Sequence, residues 1–573
     1  MKRLSCTALA LVFPAMLIAQ DTPKPTPIAI VPAPATALPL KRDARPTQRA
    51  ITADDLMSRL YVFADDSMMG REAGTKGNTM GTDYIAAQVQ RMGLQPAGEN
   101  GTFFQTLPLK SRTLDPMSSF IAGGVSLAFG TEWLPNGTAS VNKENLEVVY
   151  GGMLGDSTQL TAEQAAGKLV VLGIPLSNPA INRALSPGDL APGTAAAVAL
   201  IVPAPVVPGL MGFLRSQAMF RDLGEASTTR LFVAAAAANK LFAKPMSDLT
   251  VGTIGTTVSV NAIIAVAPIQ YPARNVVALL PGSDPTLKTQ YVAIGAHNDH
   301  IGLSAKPADH DSMRILTHLV RPGGAEDGAK RANPEQQALI NAELAEWRKT
   351  HAPRLDSIYN GADDDGSGSV SVLEIAEYMS SMKKKPKRST LFVWHVGEEK
   401  GLWGSEYFTD HPTVPRDSIV AQLNMDMVGR GDAWDVTGAT KDGAVLRGDP
   451  DYVQIVGSRR LSTGLGDLLE KVNKTGRHRL NFDYALDANG HPMNIYCRSD
   501  HYEYARYGIP VAFFTTGGHS DYHQLTDEPQ YIDYAHMTRI AKFVADAALN
   551  IANAGPRLVV DKAKPDPKGN CQQ

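Results

Sequence analysis

Short apolar runs alternate with amphipathic segments over residues 271–553, and this alternation predicts strands interleaved with helices. The predicted strands are residues 275–280, 291–296, 389–396, 418–425 and 509–515, and the predicted helices are residues 370–382, 402–408, 452–472, 501–507 and 532–552. Such an order is typical of an α/β domain, with a mixed, mostly parallel sheet sandwiched by helices. In these sheets, ligands bind beyond the carboxyl ends of the strands.

The pattern changes before residue 271. Residues 50–110 begin with a helix-capping signal at Thr52 and contain two amphipathic segments, so we assign them to the N-terminal part of the α/β domain. Residues 111–266 contain short Val/Ile/Leu/Ala runs separated by Gly, Pro and Asn, which predict an inserted β-rich domain. That domain either has no chemistry of its own or is a substrate-access or protein-binding module. The main part of the α/β domain is then 267–555, and the Pro/Lys-rich residues 556–573 are expected to be a disordered tail.

The first 49 residues have the composition of a targeting segment and a linker. Lys2 and Arg3 precede an apolar run over 8–18 that is too short to span a bilayer, so residues 1–20 are expected to be a signal peptide and the protein to be secreted or periplasmic. Residues 21–49 are rich in Pro, Ala and Thr and predict an extended linker.

Charge and cysteine content narrow the function classes. The formal net charge of −3 over 573 residues gives no reason to expect nucleic acid or an anionic membrane surface as a partner. Three cysteines exclude a disulfide scaffold, and only Cys497 and Cys571 lie beyond the predicted signal peptide, where they allow one disulfide.

Three consecutive aspartates, Asp363, Asp364 and Asp365, occur in a glycine-rich loop that leads into the predicted helix 370–382. Adjacent carboxylates repel one another, and a divalent cation would relieve that repulsion. One hypothesis is a solvated acidic turn. A second is an EF-hand calcium loop, since Glu374 occupies the twelfth position counted from Asp363. The residues at the other strand ends distinguish these two hypotheses from a third, a catalytic metal site.

Metal-ligand residue types follow five successive element boundaries. They are His297, Asp299 and His300 after 291–296; Asp363, Asp364 and Asp365 before 370–382; Glu398 and Glu399 after 389–396; Asp426 after 418–425; and His519, Asp521 and His523 after 509–515. One polar strand end is ordinary, but five restricted to His, Asp and Glu indicate a metal site.

These motifs, in this order, resemble the M28 family of co-catalytic zinc exopeptidases, which includes bacterial leucyl-type aminopeptidases. The resemblance covers about residues 51–552 and implies two Zn²⁺ ions per chain. His297 and Asp426 would bind one ion, Glu399 and His523 the other, and Asp363 would bridge both. It also implies a cis peptide between Asp363 and Asp364. A ligand set of imidazole and carboxylate suits zinc without excluding manganese or cobalt, and a calcium loop would leave the four other ligands unexplained.

The same resemblance implies two catalytic residues. Glu398 would be the general base for a metal-bridging water, and Asp299 would orient His297. The expected function is therefore a secreted two-zinc exopeptidase that removes N-terminal residues from peptide substrates, without a membrane anchor. The alternatives are a carboxypeptidase or aminoacyl-group hydrolase of the same family, and a non-catalytic binding protein with the same fold.

Three further features are weighed against this family pattern. The inserted domain resembles a protease-associated domain. The span between Asp299 and Asp363 is longer than the family leads us to expect, and it is either a surface excursion or a lid over the site. Arg498 either clamps a substrate carboxylate or pairs with a nearby acid.

Overall fold

The computed structural model describes residues 38–156, 160–185, 189–216, 218–222 and 229–573. The predicted signal peptide and residues 21–37 of the predicted linker lie outside this part of the chain. The described residues divide into two compact units: Pro108–Gln270, and residues 38–107 together with Tyr271–Gln573. No helix among the described residues is both long enough and apolar enough to cross a membrane.

The α/β unit begins with two helices and two short strands. Thr52 starts the first helix because its side-chain oxygen accepts a hydrogen bond from the Asp55 amide at 3.1 Å. These elements are α1 (Ala53–Phe63), α2 (Lys76–Arg91), β1 (Gln95–Pro96) and β2 (Phe104–Thr106).

The intervening unit is β-rich, as the sequence predicts. Its strands are β3 (Leu109–Leu114), β4 (Ser119–Ala122), β5 (Val125–Ser126), β6 (Trp133–Asn136), β7 (Val141–Met153), β8 (Leu169–Gly173), β9 (Ala197–Val202), β10 (Met219–Arg221), β11 (Arg230–Ala234), β12 (Ile254–Ala262) and β13 (Ile264–Pro268), with helices α3 (Ala162–Ala165), α4 (Asn178–Leu185) and α5 (Val207–Ser216). Eight strands form one sheet in the order β5-β4-β12-β7-β8-β9-β11-β6, and β10-β3-β13 form another. The unit has its own apolar core, in which Phe120 packs edge-on against Trp133.

The chain then completes the α/β unit. Its strands are β14 (Arg274–Leu280), β15 (Tyr291–His297), β16 (Leu303–Asp309), β17 (Leu355–Ile358), β18 (Ser389–His395), β19 (Ile419–Met425), β20 (Val436–Ala439), β21 (Val445–Arg447), β22 (Tyr452–Val456), β23 (Asn481–Asp483) and β24 (Val511–Thr515), and its helices are α6 (His310–Val320), α7 (Pro334–Trp347), α8 (Gly368–Ser381), α9 (Trp403–Asp410), α10 (Thr463–Thr475), α11 (His501–Ala505) and α12 (Tyr534–Asn553).

A mixed nine-stranded sheet organises this unit. The order is β1-β14-β18-β15-β19-β24-β22-β23, and β2 also pairs with β14. The four central strands, β18, β15, β19 and β24, are parallel to one another, whereas β14 and β22 flank them antiparallel. The predicted fold class, a mostly parallel sheet with helices and an inserted β-rich domain, is confirmed.

Successive residues of each strand contribute to two different apolar layers. In β14, Val276 and Ala278 pack with one layer, which includes residues of α1, α8 and α12, and Val277 packs with the other, which includes residues of α9 and α11. Because both faces are covered, the strands are nearly continuous apolar runs. The polar residues that follow these strands therefore emerge together at one edge of a rigid sheet.

Two predictions need correction, and the calcium-loop alternative loses its last ligand position. Residues 452–472, predicted as one helix, form β22 and then α10, because a short buried apolar run cannot be assigned to helix or strand by periodicity alone. Glu374, the last position of the hypothetical calcium loop, is buried in an ion pair with Arg59. The tail is not free of contacts, because Cys571 forms a disulfide with Cys497 at a Cα–Cα distance of 5.8 Å.

Candidate metal centre

The central parallel strands bring the predicted site residues together at one edge of the sheet. His297 ends β15, Glu398 and Glu399 follow β18, and Asp426 follows β19. His523 lies in the loop after β24. The register of β15 with β18 and β19 determines that these ends are adjacent in space.

The carboxylate of Asp364 lies between two imidazoles. Its Oδ1 is 3.1 Å from Nε2 of His297, and its Oδ2 is 2.9 Å from Nε2 of His523. Each imidazole nitrogen also faces a second carboxylate: Oδ1 of Asp426 lies 3.6 Å from His297 Nε2, and Oε2 of Glu399 lies 3.1 Å from His523 Nε2. The arrangement is thus two imidazole–carboxylate pairs that share one aspartate.

Asp363, which the family resemblance implies is the bridging ligand, does not lie between His297 and His523. Its Oδ1 accepts a hydrogen bond from the Gly429 amide at 2.7 Å, and its Oδ2 is 3.2 Å from Nε2 of His519. The cis peptide joins Asp364 and Asp365, one residue later than predicted. Because three identical side chains follow one another, the sequence does not show which of them faces the two imidazoles. The turn after Gly361 (φ 55°) determines this.

Asp365 and Asp527 stabilise the turn that precedes α8. Asp365 accepts hydrogen bonds from the backbone amides of His297 (3.0 Å), Gly368 (2.9 Å) and Met427 (3.2 Å), so both of its oxygens have amide donors. Asp527 accepts from the amides of Asp363 and Asp364 at 3.0 and 3.1 Å. Sequence reasoning assigned no role to Asp527, because only the fold brings it to this turn.

Asp299 contacts both the imidazole of His297 and the loop that contains Glu398 and Glu399. The Nδ1 of His297 is 3.1 Å from the backbone oxygen of Asp299 and 3.8 Å from its carboxylate. The same carboxylate accepts hydrogen bonds from the amides of Gly397 at 2.7 Å and Glu398 at 3.2 Å. Asp299 is fully buried, and burial raises its pKa to about 7. It therefore fixes the position of the glutamates as well as that of the imidazole.

The site also contains two polar residues, Ser499 and His300, to which the sequence analysis assigned no role. Ser499 donates a 2.7 Å hydrogen bond to Oδ2 of Asp426 and accepts one from Asn424 at 2.9 Å. His300, which was noted only as part of a motif, has its Nδ1 2.7 Å from Oε1 of Glu399. Its position directly after Asp299 in the motif was the available signal.

The residues present fit divalent cations. Two groups have side-chain donor atoms within 4.8 Å of one another: His300, Asp364, Glu399 and His523; and His297, Asp365 and Asp426. His297 Nε2, both ring nitrogens of His300 and Glu399 Oε1 are buried and make no well-directed hydrogen bond among the described residues. A metal ion requires several donor atoms that converge on one point, and imidazole with carboxylate is a donor set that zinc accepts.

The electrostatics agree with that fit. Burial raises the pKa of Glu398 well above its ordinary value. The carboxylates of Asp426 and Glu399 raise this pKa further, whereas the imidazole of His297 lowers it. Burial would also raise the pKa of Asp364, but the two adjacent imidazoles hold it well below its usual range. The cluster therefore concentrates buried carboxyl groups whose ionised forms a cation would stabilise.

A cavity of about 300 Å³ opens beside these groups. Asp364, Glu398, Asp426 and His523 line one part of it. The remaining wall is largely apolar and includes Met427, Val436, Val445, Leu486, Met493, Ile495 and Phe513. Such a lining suits an apolar group held next to a polar reaction centre.

The long span between β15 and α8 contributes to this cavity. Gly323, Glu326 and Asp327, which lie between α6 and α7, are lining residues. The Ala325 amide donates a 3.1 Å hydrogen bond to the carbonyl of Tyr522, directly before His523. Arg498 is 2.6 Å from Glu326, so it pairs with an acid as the second of its two hypotheses expects.

Comparisons with known proteins match this part of the chain. Residues 348–548 match the sequence model described as Peptidase family M28, which confirms the resemblance stated above. This segment contains Asp364, Glu398, Glu399, Asp426 and His523, whereas His297 precedes it.

Two curated relatives and one solved structure that resemble this chain carry aminopeptidase names. Leucine aminopeptidase 1 of Paracoccidioides brasiliensis (strain Pb18) is 31% identical over 203 residues, which is 34% of this chain and 47% of that protein. The corresponding protein of Uncinocarpus reesii is 28% identical over 34% of this chain and 46% of its own length. The chain thus spans about half the length of the curated relatives it matches. Among solved structures, an aminopeptidase from Aneurinibacillus sp. strain AM-1 aligns with a TM-score of 0.47 and 16% identity, covering 90% of this chain and 98% of that one.

Proposed function

We propose, starting from the match of residues 348–548 to peptidase family M28, that this protein is a two-zinc metallo-aminopeptidase. One observation carries the proposal: the Asp364 carboxylate lies between the imidazoles of His297 and His523, at 3.1 and 2.9 Å, and each imidazole faces a second carboxylate. A solvated acidic turn would not be buried between two histidines.

The proposed ligands follow from these distances. His297 and Asp426 would hold one ion, His523 and Glu399 the other, and Asp364 would be shared. Bound zinc ions would polarise the scissile carbonyl and lower the pKa of water. Outside the ligands, Ser499 orients Asp426 through its 2.7 Å hydrogen bond, and polar partners of this kind keep a ligand in position.

Glu398 is the proposed general base. It lines the cavity, and its backbone amide is held by Asp299, so its side chain is directed by a fixed loop. During hydrolysis the water oxygen bonds to the carbonyl carbon, and the carbon–nitrogen bond breaks. Glu398 takes the proton from that water and delivers it to the leaving amine nitrogen.

The charges of the cavity favour an amino-terminal exopeptidase. Carboxyl groups outnumber the one guanidinium among the lining residues, which suits a substrate ammonium group, although Glu326 is itself paired with Arg498 and Asp327 with Lys330. The guanidinium of Arg498, which a substrate carboxylate would require, is already paired with Glu326. The apolar wall suits an apolar first side chain, and the acidic segment from the long span supports the hypothesis that this span limits what enters.

Two regional assignments accompany the proposal. Export is supported by the charged and apolar pattern of residues 1–20. A protease-associated role for the β-rich unit is supported by its parallel strands β7, β8, β9 and β11, of which β8, β9 and β11 coincide with apolar runs in the sequence.

A peptide panel tests the proposal directly. Zinc-loaded enzyme should hydrolyse leucyl peptides with a free amino terminus, including those amidated at the carboxyl terminus, and should leave N-acetylated peptides intact. Glu398→Gln serves as the control for contaminating peptidases. Cleavage of N-acetylated peptides that have a free carboxyl terminus would instead establish a carboxypeptidase. Absence of hydrolysis at full zinc occupancy would support the binding-protein alternative.

A further inference from the structure

The last residues of the printed sequence are attached to a loop of the cavity wall. Gln573 makes hydrogen bonds with five residues of the segment 486–496. Its backbone carbonyl accepts from the Gly490 amide (2.7 Å), its amide donates to Asn494 Oδ1 (3.2 Å), its Oε1 accepts from the Tyr496 amide (3.0 Å), and its Nε2 donates to the carbonyls of Ala488 (3.2 Å) and Leu486. One glutamine thus bridges most of a loop.

The Cys497–Cys571 disulfide attaches the same loop a second time. Cys571 is two residues before Gln573, and Cys497 directly follows Tyr496. Both half-cystines pack against the apolar layer that contains Phe513. We call Cys571–Gln573 the tail strap; it holds residues 486–497 by hydrogen bonds at one end and covalently at the other.

The loop held by the tail strap is part of the substrate cavity. Leu486, Met493 and Ile495 of this loop line the cavity, and so do Arg498 and Ser499 directly after it. Ser499, two residues beyond Cys497, is also the residue that donates to Asp426. The loop contains only two short turns, Ala485–Asp487 and Ile495–Cys497. Without a strand ladder or helix of its own, a loop depends on outside contacts to remain in one conformation.

We infer that the tail strap positions the apolar wall of the cavity, and that Gln573 and Cys571 are positioning residues for selection of the substrate's first side chain. The inference rests on the proposed aminopeptidase function. Neither residue lines the cavity; they act through the loop they hold. Large first side chains depend most on Leu486, Met493 and Ile495, whereas a small side chain leaves much of that wall without contact.

The size of the effect follows from the contacts removed. Gln573→Ala removes three side-chain hydrogen bonds and leaves the Tyr496 amide without its acceptor. The loss of an ordered wall should raise KM for leucyl and phenylalanyl substrates roughly 3–10-fold, with KM for alanyl substrates changed less than twofold. Zinc content and kcat should remain near the values of the unmodified protein.

The experiment uses the full chain and a neighbouring control. Gln573→Ala and the double variant Cys497→Ser/Cys571→Ser are compared with Gln572→Ala, since Gln572 is an exposed glutamine one position away. Amide hydrogen exchange over 486–498 is measured alongside the leucyl-to-alanyl ratio of kcat/KM. Exchange at Gly490 and Tyr496 should become faster in both strap variants and remain unchanged in Gln572→Ala.

The outcomes separate this inference from the proposed function. Faster exchange together with a lower leucyl-to-alanyl ratio supports the tail strap. Exchange that matches the Gln572→Ala control, or faster exchange with an unchanged ratio, overturns it. Failure of the unmodified zinc-loaded protein to hydrolyse any aminoacyl substrate refutes the proposed function and the selection role with it, whereas the exchange data still report whether the strap holds the loop.

Discussion

Replacement of Asp364 by asparagine tests the central assignment most directly, because Asp363 next to it provides a matched control. Asp364 presents one oxygen to each imidazole, whereas Asp363 presents its oxygens to the Gly429 amide and to His519. Asparagine has nearly the same shape as aspartate but only one oxygen and no charge. In Asp364→Asn, one of the two proposed cation sites would therefore lose a donor outright, and both would lose shared negative charge.

The magnitude follows from the number of donors. Structural zinc sites with four ligands bind with about 10–16 kcal/mol, so one ligand accounts for about 3 kcal/mol, or roughly a 100-fold change in affinity. Asp364→Asn should therefore lower the affinity for at least one zinc ion by roughly that factor. Asp363→Asn retains an oxygen for the Gly429 amide and should weaken metal binding by about 10-fold, as for residues outside the ligand set.

The assay is zinc content after dialysis against graded concentrations of a competing chelator, with far-ultraviolet circular dichroism to establish that each variant folds. The unmodified protein and Asp363→Asn should retain about two zinc ions under conditions in which Asp364→Asn retains one or none. If Asp363→Asn loses zinc while Asp364→Asn keeps two ions, the assignment of the shared carboxylate is wrong.

Three further predictions concern the base, the cavity wall and acid stability. Glu398→Gln should lower kcat by about 10²–10⁴-fold with normal zinc content, whereas Glu399→Gln should lower zinc content as well; near-normal turnover in the first variant would refute the base. Gly324→Ala should reduce leucyl hydrolysis more than Gly323→Ala, because a Cβ at Gly324 (φ 59°) would lie 2.7 Å from the Tyr522 carbonyl; equal kcat/KM would contradict this. Burial alone would raise the pKa of Glu528, but the imidazole of His310 and the guanidinium of Arg354 lower it to about 2. Because this pKa is lower in the folded state, Glu528 stabilises the fold above about pH 4, and this contribution is lost as the pH falls towards 2. Acid titration of unfolding should show this loss in the unmodified protein and less of it in Glu528→Gln.

Much of the architecture was predictable because local patterns carry it. Apolar runs such as 291–296 are buried on both faces of a sheet, and their period and length predict strands without knowledge of their neighbours. The candidate ligand types were visible for the same reason: His297, Glu399, Asp426 and His523 each lie at or after the end of a strand, where a packed core has no need of them. Residue type and order along the chain therefore determined the fold class and the chemistry of the candidate site.

The tertiary structure alone decided which member of a repeated motif faces the centre. Asp363, Asp364 and Asp365 have identical side chains, and the turn before α8 directs only Asp364 to the imidazoles of His297 and His523. Asp363 instead contacts the Gly429 amide and His519, and Asp365 contacts backbone amides. It also decided that Gln573, in a segment whose composition predicted disorder, holds the cavity wall. Both outcomes depend on contacts between residues far apart in the chain, and such contacts leave no periodicity in the sequence.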